Sequence, residues 1–307
     1  MIETNNIPSD QTNPNYVSLI RARYNTYSIA KLIQGVFVIM FIALPVASAM
    51  LGNFGELKPY IAFTGLLLLF LDIALLDQFQ KRCIKRGAKL QEEFDTKVLK
   101  LPWNSFVAGD NVIPEDIRSY SSKPLSEKRE REISSWYESC VGEVPIHIGR
   151  LICQRTNIHY DQRLRRRYGG GLVALTVIAG FILLFAALRM DPKFSEVIMS
   201  FFVPFTPILS WTLREHRKQL DTAAALERLQ SEFKKMWAAA LGDESPQMIE
   251  IYSRQLQDAI YQHRASASLI FNWIYRCMRN INEDEANHAA NELVAEAKTA
   301  LVRKVVI

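Results

Sequence analysis

Four long apolar runs restrict what this chain can fold into more than any other feature of its sequence. They cover residues 32–51, 60–76, 169–188 and 197–213, hereafter spans 1 to 4, and their one formally charged side chain is Asp72. About 20 apolar residues cross a bilayer as a helix, whereas apolar runs in soluble proteins are usually shorter. The sequence therefore predicts an all-α integral membrane protein with four transmembrane helices, although its 49% apolar content is ordinary.

Most of the chain lies outside these spans, and this distribution argues against a pure channel or transporter. The N-terminus is polar and lacks the pattern of a cleaved signal peptide, so span 1 is expected to be retained. We predict an N-terminal segment 1–31, a transmembrane hairpin 32–76, a sensor-like block 77–168, a second hairpin 169–213 and a helical stalk with C-terminal helices, 214–307.

Basic residues indicate how the spans are oriented. Three clusters directly adjoin spans 2, 3 and 4: Lys81, Arg82, Lys85, Arg86 and Lys89; Arg163, Arg165, Arg166 and Arg167; and Arg214, Arg217 and Lys218. The positive-inside rule then places both termini and the 77–168 block in the cytoplasm. The links 52–59 and 189–196 lie outside, where Gly52-Asn53-Phe54-Gly55 and Met190-Asp191-Pro192 suit tight turns. Anionic lipid is the favoured partner of these clusters over nucleic acid, and no DNA or RNA partner is expected.

Helical periodicity continues out of the membrane. Phe79, Cys83, Gly87, Leu90, Phe94, Val98 and Leu101 form a seam after span 2 that stops at Pro102. An irregular region follows, and a helix from Ile146 leads into span 3. Span 4 is expected to continue to Gly242, followed by a helix from Pro246 to about Asn280 and a last helix capped by Asn282. Such seams pack within the chain or join copies of it, and we expect a homo-oligomer.

Catalytic and metal-binding motifs are absent from the sequence. There is no P-loop, GxSxG or HExxH motif, and the four cysteines form no CxxC pair. Cys140 with His147 and Cys153 with His159 lack both zinc-site spacing and a second pair. We therefore predict no enzymatic activity, no metal and no cofactor.

The 77–168 block is rich in planar and cationic side chains, which suits nucleotide binding because bases stack on aromatic rings and Arg forks match phosphates. The alternative is that these residues are interfacial anchors. The candidate ligand-binding residues are Trp103, Asn104, Trp136, Tyr137, Gln154, Arg155, Asn157, Tyr160, Asp161, Arg163 and Arg165.

Several of these residues lie in runs that resemble a known family. The runs are Leu101-Pro102-Trp103-Asn104, Trp136-Tyr137, RLICQRTN at 150–157, Tyr160-Asp161, LRRRY at 164–168, His263-Arg264, SLIFNWIY at 268–275 and Glu285-Ala286-Asn287. They are similar to the SMODS-associated four-transmembrane effector family over nearly the whole chain. The resemblance implies a bacterial antiviral effector of the inner membrane, encoded with a cyclic-oligonucleotide synthase, whose activation damages that membrane. The resemblance shows that these residues belong to the motifs of the family, but it does not show which of them contact a ligand.

Six residues are candidates for a pore or its gating. They are Asp72, Gly169, Gly170, Gly171, Pro204 and Pro207. Asp72 either lines the ion path or reaches the interface near Lys81 or Arg82. The glycines form a hinge or a close helix contact, and the prolines allow a bend or form a static kink.

The expected function is a pore-forming effector gated by a cyclic oligonucleotide and active as an oligomer. The alternative is a membrane-anchored scaffold that presents its helices to protein partners and conducts nothing.

Overall fold

The computed structural model describes residues 5–50, 55–189 and 193–306, and all its regular structure is helical. The N-terminal half contains α1 Ile7–Asp10, α2 Pro14–Met50, α3 Lys58–Leu71, α4 Asp77–Val98, α5 Ser105–Ala108, α6 Pro114–Ser121 and α7 Glu127–Ser134. The C-terminal half contains α8 Ile146–Leu188, α9 Phe194–Val197, α10 Val203–Leu241, α11 Pro246–Ser266 and α12 Asn272–Val306. The expected turn residues at 52–54 and 190–192 lie outside the described residues.

Two π-helical segments lie within the spans. Asp72–Leu76 joins α3 to α4, and Ile198–Phe202 joins α9 to α10. Each inserts a wider turn into an otherwise continuous helix, and such turns often occur at functional sites. The α10 helix continues through Pro207 without a break.

Three of the described helices are long and apolar enough to cross a membrane: Pro14–Ser48, Lys58–Val98 and Ile146–Ala186. They carry spans 1, 2 and 3. Their apolar side chains project outward, as lipid-facing residues do, including Leu32, Ile39, Phe63, Phe70, Phe181 and Phe185. Span 4 is not among these three. Its 17-residue run is divided between α9, a π-helical segment and α10.

Span 4 contributes many of the buried contacts between the spans. Ile208 and Trp211 form an apolar cluster with Phe41 of span 1. Gly65 of span 2 lies so close to Pro207 that an added Cβ would be 3.3 Å from the proline Cγ. Because helices can approach this closely only at small residues, Gly65 fixes the packing of α3 on α10.

The helical extensions outside the spans share one hydrophobic core. Leu90, Phe94 and Val98 of the α4 seam are fully buried there, together with residues of α2, α8, α10, α11 and α12. The segment boundaries expected at 31/32, 168/169 and 213/214 each lie inside a continuous helix. The core is therefore built from all three extramembrane segments rather than from the 77–168 block alone.

One prediction about the tail is wrong. The helix that begins at Pro246, capped by the Ser245 side chain, ends at Ser266 and not near Asn280. Residues 267–271 have no regular secondary structure, and Leu269 and Ile270 enter two separate buried clusters. Helix α12 then starts at Asn272, so Asn282 lies inside it and does not cap a new helix.

Candidate functional site

A cavity of about 1550 Å³ lies among α2, α7, α8, α11 and α12. It exceeds the 300–1,000 Å³ of most small-molecule sites. The charged and aromatic residues of its wall include Arg23, Tyr24, Tyr27, Lys31, Lys128, Arg129, Arg131, Glu132, Trp136, Tyr137, Glu138, Tyr160, Asp161, Arg165, His263, Arg264, Glu283 and Asp284. We call it the central cavity.

Helix α2 lines the central cavity with three residues spaced by four. Arg23, Tyr27 and Lys31 lie on one helical face. The Arg23 guanidinium lies 5.0 Å from the centroid of the Tyr27 ring and 5.1 Å from that of Trp136. The Lys31 Nζ donates to the Asn272 Oδ1 at 2.8 Å. In the described part of the chain neither Arg23 nor Lys31 forms an ion pair. Burial lowers the pKa of the Lys31 ammonium to about 7, so this wall keeps one full cation, Arg23, and one lysine that a bound anion would protonate.

Arg165 connects the cavity wall to span 4. Its Nε donates to the Asp161 Oδ2 at 2.9 Å, and its Nη1 donates to the Gln219 Oε1 and to the Ser268 carbonyl, both at 2.8 Å. Gln219 belongs to α10, two turns beyond the end of span 4. His263 Nε2 lies 3.1 Å from the same Asp161 oxygen. A single buried guanidinium thus holds three segments of the chain together.

Electrostatics keep Asp161 ionised. Burial alone would raise the pKa of this carboxyl group, but the Arg165 guanidinium and the His263 imidazole together hold it well below its ordinary value. Asp161 therefore neutralises Arg165 and leaves Arg23 to attract an anion, which would in turn favour the charged form of Lys31.

The structure brings six of the eleven sequence candidates to the central cavity. They are Trp136, Tyr137, Asn157, Tyr160, Asp161 and Arg165. Tyr137 is also a structural residue, because its hydroxyl donates to the Asp95 Oδ1 at 2.7 Å. Asp95 is fully buried and is also paired with Arg264.

The other five candidates lie away from the cavity. Trp103 Nε1 donates to the Gly109 carbonyl at 2.8 Å, and Asn104 caps α5 and donates to Asp258 at 2.9 Å. Arg163 is paired with Glu285, and Arg155 is half-buried elsewhere on α8.

Gln154, the fifth, is fully buried between helices. Its Nε2 donates to the Ser253 carbonyl at 2.8 Å and to the Gln257 Oε1 at 3.0 Å. The Ser253 hydroxyl donates back to the Gln154 Oε1 at 3.0 Å. The carboxamide therefore joins α8 to α11.

Sequence reasoning missed the contribution of the N-terminal segment. Arg23, Tyr27 and Lys31 lie in the N-terminal segment 1–31, for which the sequence predicts a cytoplasmic location but no binding role. Their spacing by four was a readable signal of one helical face. Arg129 of α7 was missed as well; its guanidinium lies 5.1 Å from the centroid of the Tyr24 ring.

The pore candidates occupy different environments. Asp72 is buried and paired with Arg214, rather than with the nearby Lys81 or Arg82. The Gly169 carbonyl lies 3.0 Å from the His216 Nδ1, so this glycine contacts α10 closely.

A Cβ added at Gly170 or Gly171 would meet nothing within 4 Å, so neither makes a close helix contact. Pro204 and Pro207 are both buried.

Metal binding has no support in the described residues, where no group of three or more His, Cys, Asp or Glu side chains could hold an ion. Cys153 is buried, and burial raises the pKa of its thiol well above the usual value. It therefore stays protonated and unreactive.

Comparisons with known proteins agree with this architecture. No solved structure matches the chain. A probable CBASS effector molecule of Bacillus cereus strain VD146 is 26% identical over 289 residues, which cover 90% of this chain and 93% of the relative. The family model described as the SMODS-associating 4TM effector domain matches residues 5–293. Since that match spans nearly the whole chain, the protein belongs to the family of SMODS-associating 4TM effectors.

Proposed function

We propose that this protein is a membrane effector of antiphage defence that binds a cyclic oligonucleotide in the central cavity and then permeabilises the bacterial inner membrane. The observation that carries the proposal is Arg23, a cation without an ion pair among the described residues, beside Lys31 and a half-buried aromatic wall. A phosphate bound there would raise the lowered pKa of Lys31 and so recharge it. Membership of the effector family and the similarity to a probable CBASS effector molecule support it.

The chemistry of the cavity matches that of a cyclic oligonucleotide. Each nucleotide of such a ligand contributes one phosphodiester anion and one flat base. Arg23 and Lys31 supply charge for the phosphates, while Tyr27, Trp136 and Tyr160 supply ring faces for the bases. A volume of about 1550 Å³ leaves room for more than one nucleotide.

The helices around the cavity also give a route to the membrane. Lys31 directly precedes span 1 on the same helix, and Arg165 precedes span 3 by four residues. Through Gln219, Arg165 also contacts the extension of span 4. A ligand that moves Arg165 or Lys31 therefore acts on three spans directly, and Gly170 and Gly171 are the proposed hinge between cavity and membrane.

We place the cavity and both termini on the cytoplasmic side, where the synthase product would be made. The basic clusters beside spans 2, 3 and 4 support this orientation. Lipid headgroups are the proposed partners of these clusters. Oligomerisation of the proposed effector uses the exposed face of α10, where Leu213 and Leu220 project seven residues apart.

Calorimetry on the detergent-solubilised protein tests the proposal with a panel of cyclic di- and trinucleotides. Lys31→Met should weaken binding by about 5- to 150-fold, as expected for a lost charged contact of about 1–3 kcal/mol. Lys81→Met is the matched control, because that lysine is largely exposed and, among the described residues, pairs with Asp77 alone. If the folded parent protein binds no member of the panel, the proposed ligand is wrong and the scaffold function is favoured.

A further inference from the structure

The inner face of span 1 carries an unusual pattern of side chains. Gln34, Phe41 and Ser48 follow one another at intervals of seven residues, and each is at most 2% exposed. Seven residues make about two helical turns, or roughly 10 Å along the axis. The three side chains therefore form a line through the interior of the transmembrane bundle, polar at both ends and aromatic in the middle.

The two polar ends have no hydrogen-bond partner among the described residues. The Gln34 Oε1 and the Ser48 Oγ are both buried and unpaired. By contrast, Thr64, Thr176 and Thr206 each donate to the carbonyl four residues earlier.

An unpaired polar atom in hydrocarbon costs several kcal/mol, so such groups in membrane proteins usually face water or a solute. Both ends of the line thus have unused capacity to bind water or an ion.

An apolar seal separates the two ends. Phe41 is fully buried against Ile208 and Trp211 of span 4. The Phe37 ring packs edge-on against it, with 6.2 Å between ring centroids. Apolar side chains packed in this way exclude water and ions, because a narrow apolar neck does not stay wet.

We infer that the ion path runs through the interior of each four-helix bundle along this line, with Phe41, Ile208 and Trp211 as a hydrophobic gate and Gln34 and Ser48 as polar sites for water and small ions on either side. The inference rests on the proposed permeabilisation but not on the identity of the ligand. It locates the closed barrier inside one protomer rather than between protomers.

The gate has a direct mechanical link to the central cavity. Trp211 and Ile208 lie on α10, the helix that Arg165 contacts at Gln219 two turns further on. One turn beyond the gate, Arg214 is anchored to Asp72 of span 2. A shift of α10 along its axis would therefore withdraw the seal from Phe41.

Cysteine accessibility tests the polar sites without disturbing the seal. The four native cysteines are replaced by alanine, and Gln34→Cys, Ser48→Cys and Ile39→Cys are treated in proteoliposomes with a small water-soluble thiosulfonate on both sides. Ile39 is the control because its side chain is 67% exposed on the lipid face. Gln34→Cys and Ser48→Cys should react about tenfold faster than Ile39→Cys, since the reagent needs a hydrated thiolate. Equal rates at all three positions would overturn the inference.

Ion flux tests the gate itself. Without any nucleotide, Phe41→Ser should raise potassium efflux from proteoliposomes about tenfold or more, because a small polar side chain removes the seal. Ile39→Ser should leak like the parent. Ile208→Ser provides a second gate variant if Phe41→Ser does not insert. The internal path would be contradicted if a folded gate variant did not leak. It would also be contradicted if Ile39→Ser leaked as much as the gate variants. Since no nucleotide is present, neither result depends on ligand binding.

Discussion

Loss of Arg165 should uncouple nucleotide binding in the central cavity from leakage through the membrane most directly. Arg165→Gln removes a guanidinium that serves three acceptors, Asp161, Gln219 and the Ser268 carbonyl, all within 2.9 Å. Its side chain is only 7% exposed. The substitution leaves the Asp161 carboxylate with His263 as its remaining hydrogen-bond partner.

The expected loss of stability follows from the burial of the Arg165–Asp161 ion pair. Removing one partner of a buried ion pair costs about 3–5 kcal/mol, because the other charge stays desolvated. Asp161 is 30% exposed and retains His263, so we expect Arg165→Gln to lower the free energy of unfolding by about 2–4 kcal/mol. Arg166→Gln, one residue along, breaks a pair whose members are 55% and 62% exposed and should cost less than about 1 kcal/mol.

The assay is thermal unfolding of the detergent-solubilised protein, read as a shift in melting temperature within a double-mutant cycle. Asp161→Asn in the Arg165→Gln background should recover part of the loss, because the unpaired carboxylate is then neutral. Nucleotide should still bind Arg165→Gln with reduced affinity but no longer cause leakage. If Arg165→Gln melts like Arg166→Gln and leaks like the parent, Arg165 does not couple the two regions.

Three further substitutions test the packing between the helices. Gly87→Ala would drive a Cβ into the Tyr27 ring, so overpacking of about 1–3 kcal/mol should outweigh the gain in helix propensity and weaken nucleotide binding at the displaced ring. Gly170→Ala, with open space around it, should melt at or above the parent temperature, and a lower melting temperature would refute this packing. Asp72→Asn leaves Arg214 without its carboxylate and should lower the melting temperature, whereas an unchanged temperature would show that the pair adds nothing to stability.

The spans and the seam of α4 could be predicted because both depend on local patterns. Spans 1, 2 and 3 lie on helices of sufficient length and apolar content. In α4, the predicted apolar seam is buried from Cys83 to Val98. Glu92 and Asp95, on the same helix, are buried as well, because α11 supplies Arg254 and Arg264 as partners. No local sequence pattern predicts partners that lie more than 160 residues away along the chain.

The candidate site could be predicted only in part for the same reason. Residue type alone pointed to Trp136 and Tyr160, which line the cavity, and equally to Gln154, which pairs with Gln257 in the core. Periodicity in the N-terminal segment shows that Arg23 and Lys31 share a face. Which element that face meets is decided by the packing of α2 on α7 and α8.

The most direct test of the account is potassium efflux from proteoliposomes as a function of cyclic nucleotide, measured for the parent, Lys31→Met and Lys81→Met. The account predicts nucleotide-dependent efflux from the parent and from Lys81→Met, and a dose-response curve for Lys31→Met shifted to about 5- to 150-fold higher concentration. Control of the membrane from the central cavity would be contradicted if the folded parent showed no efflux with any cyclic nucleotide. It would also be contradicted if the dose-response curves of all three proteins were identical.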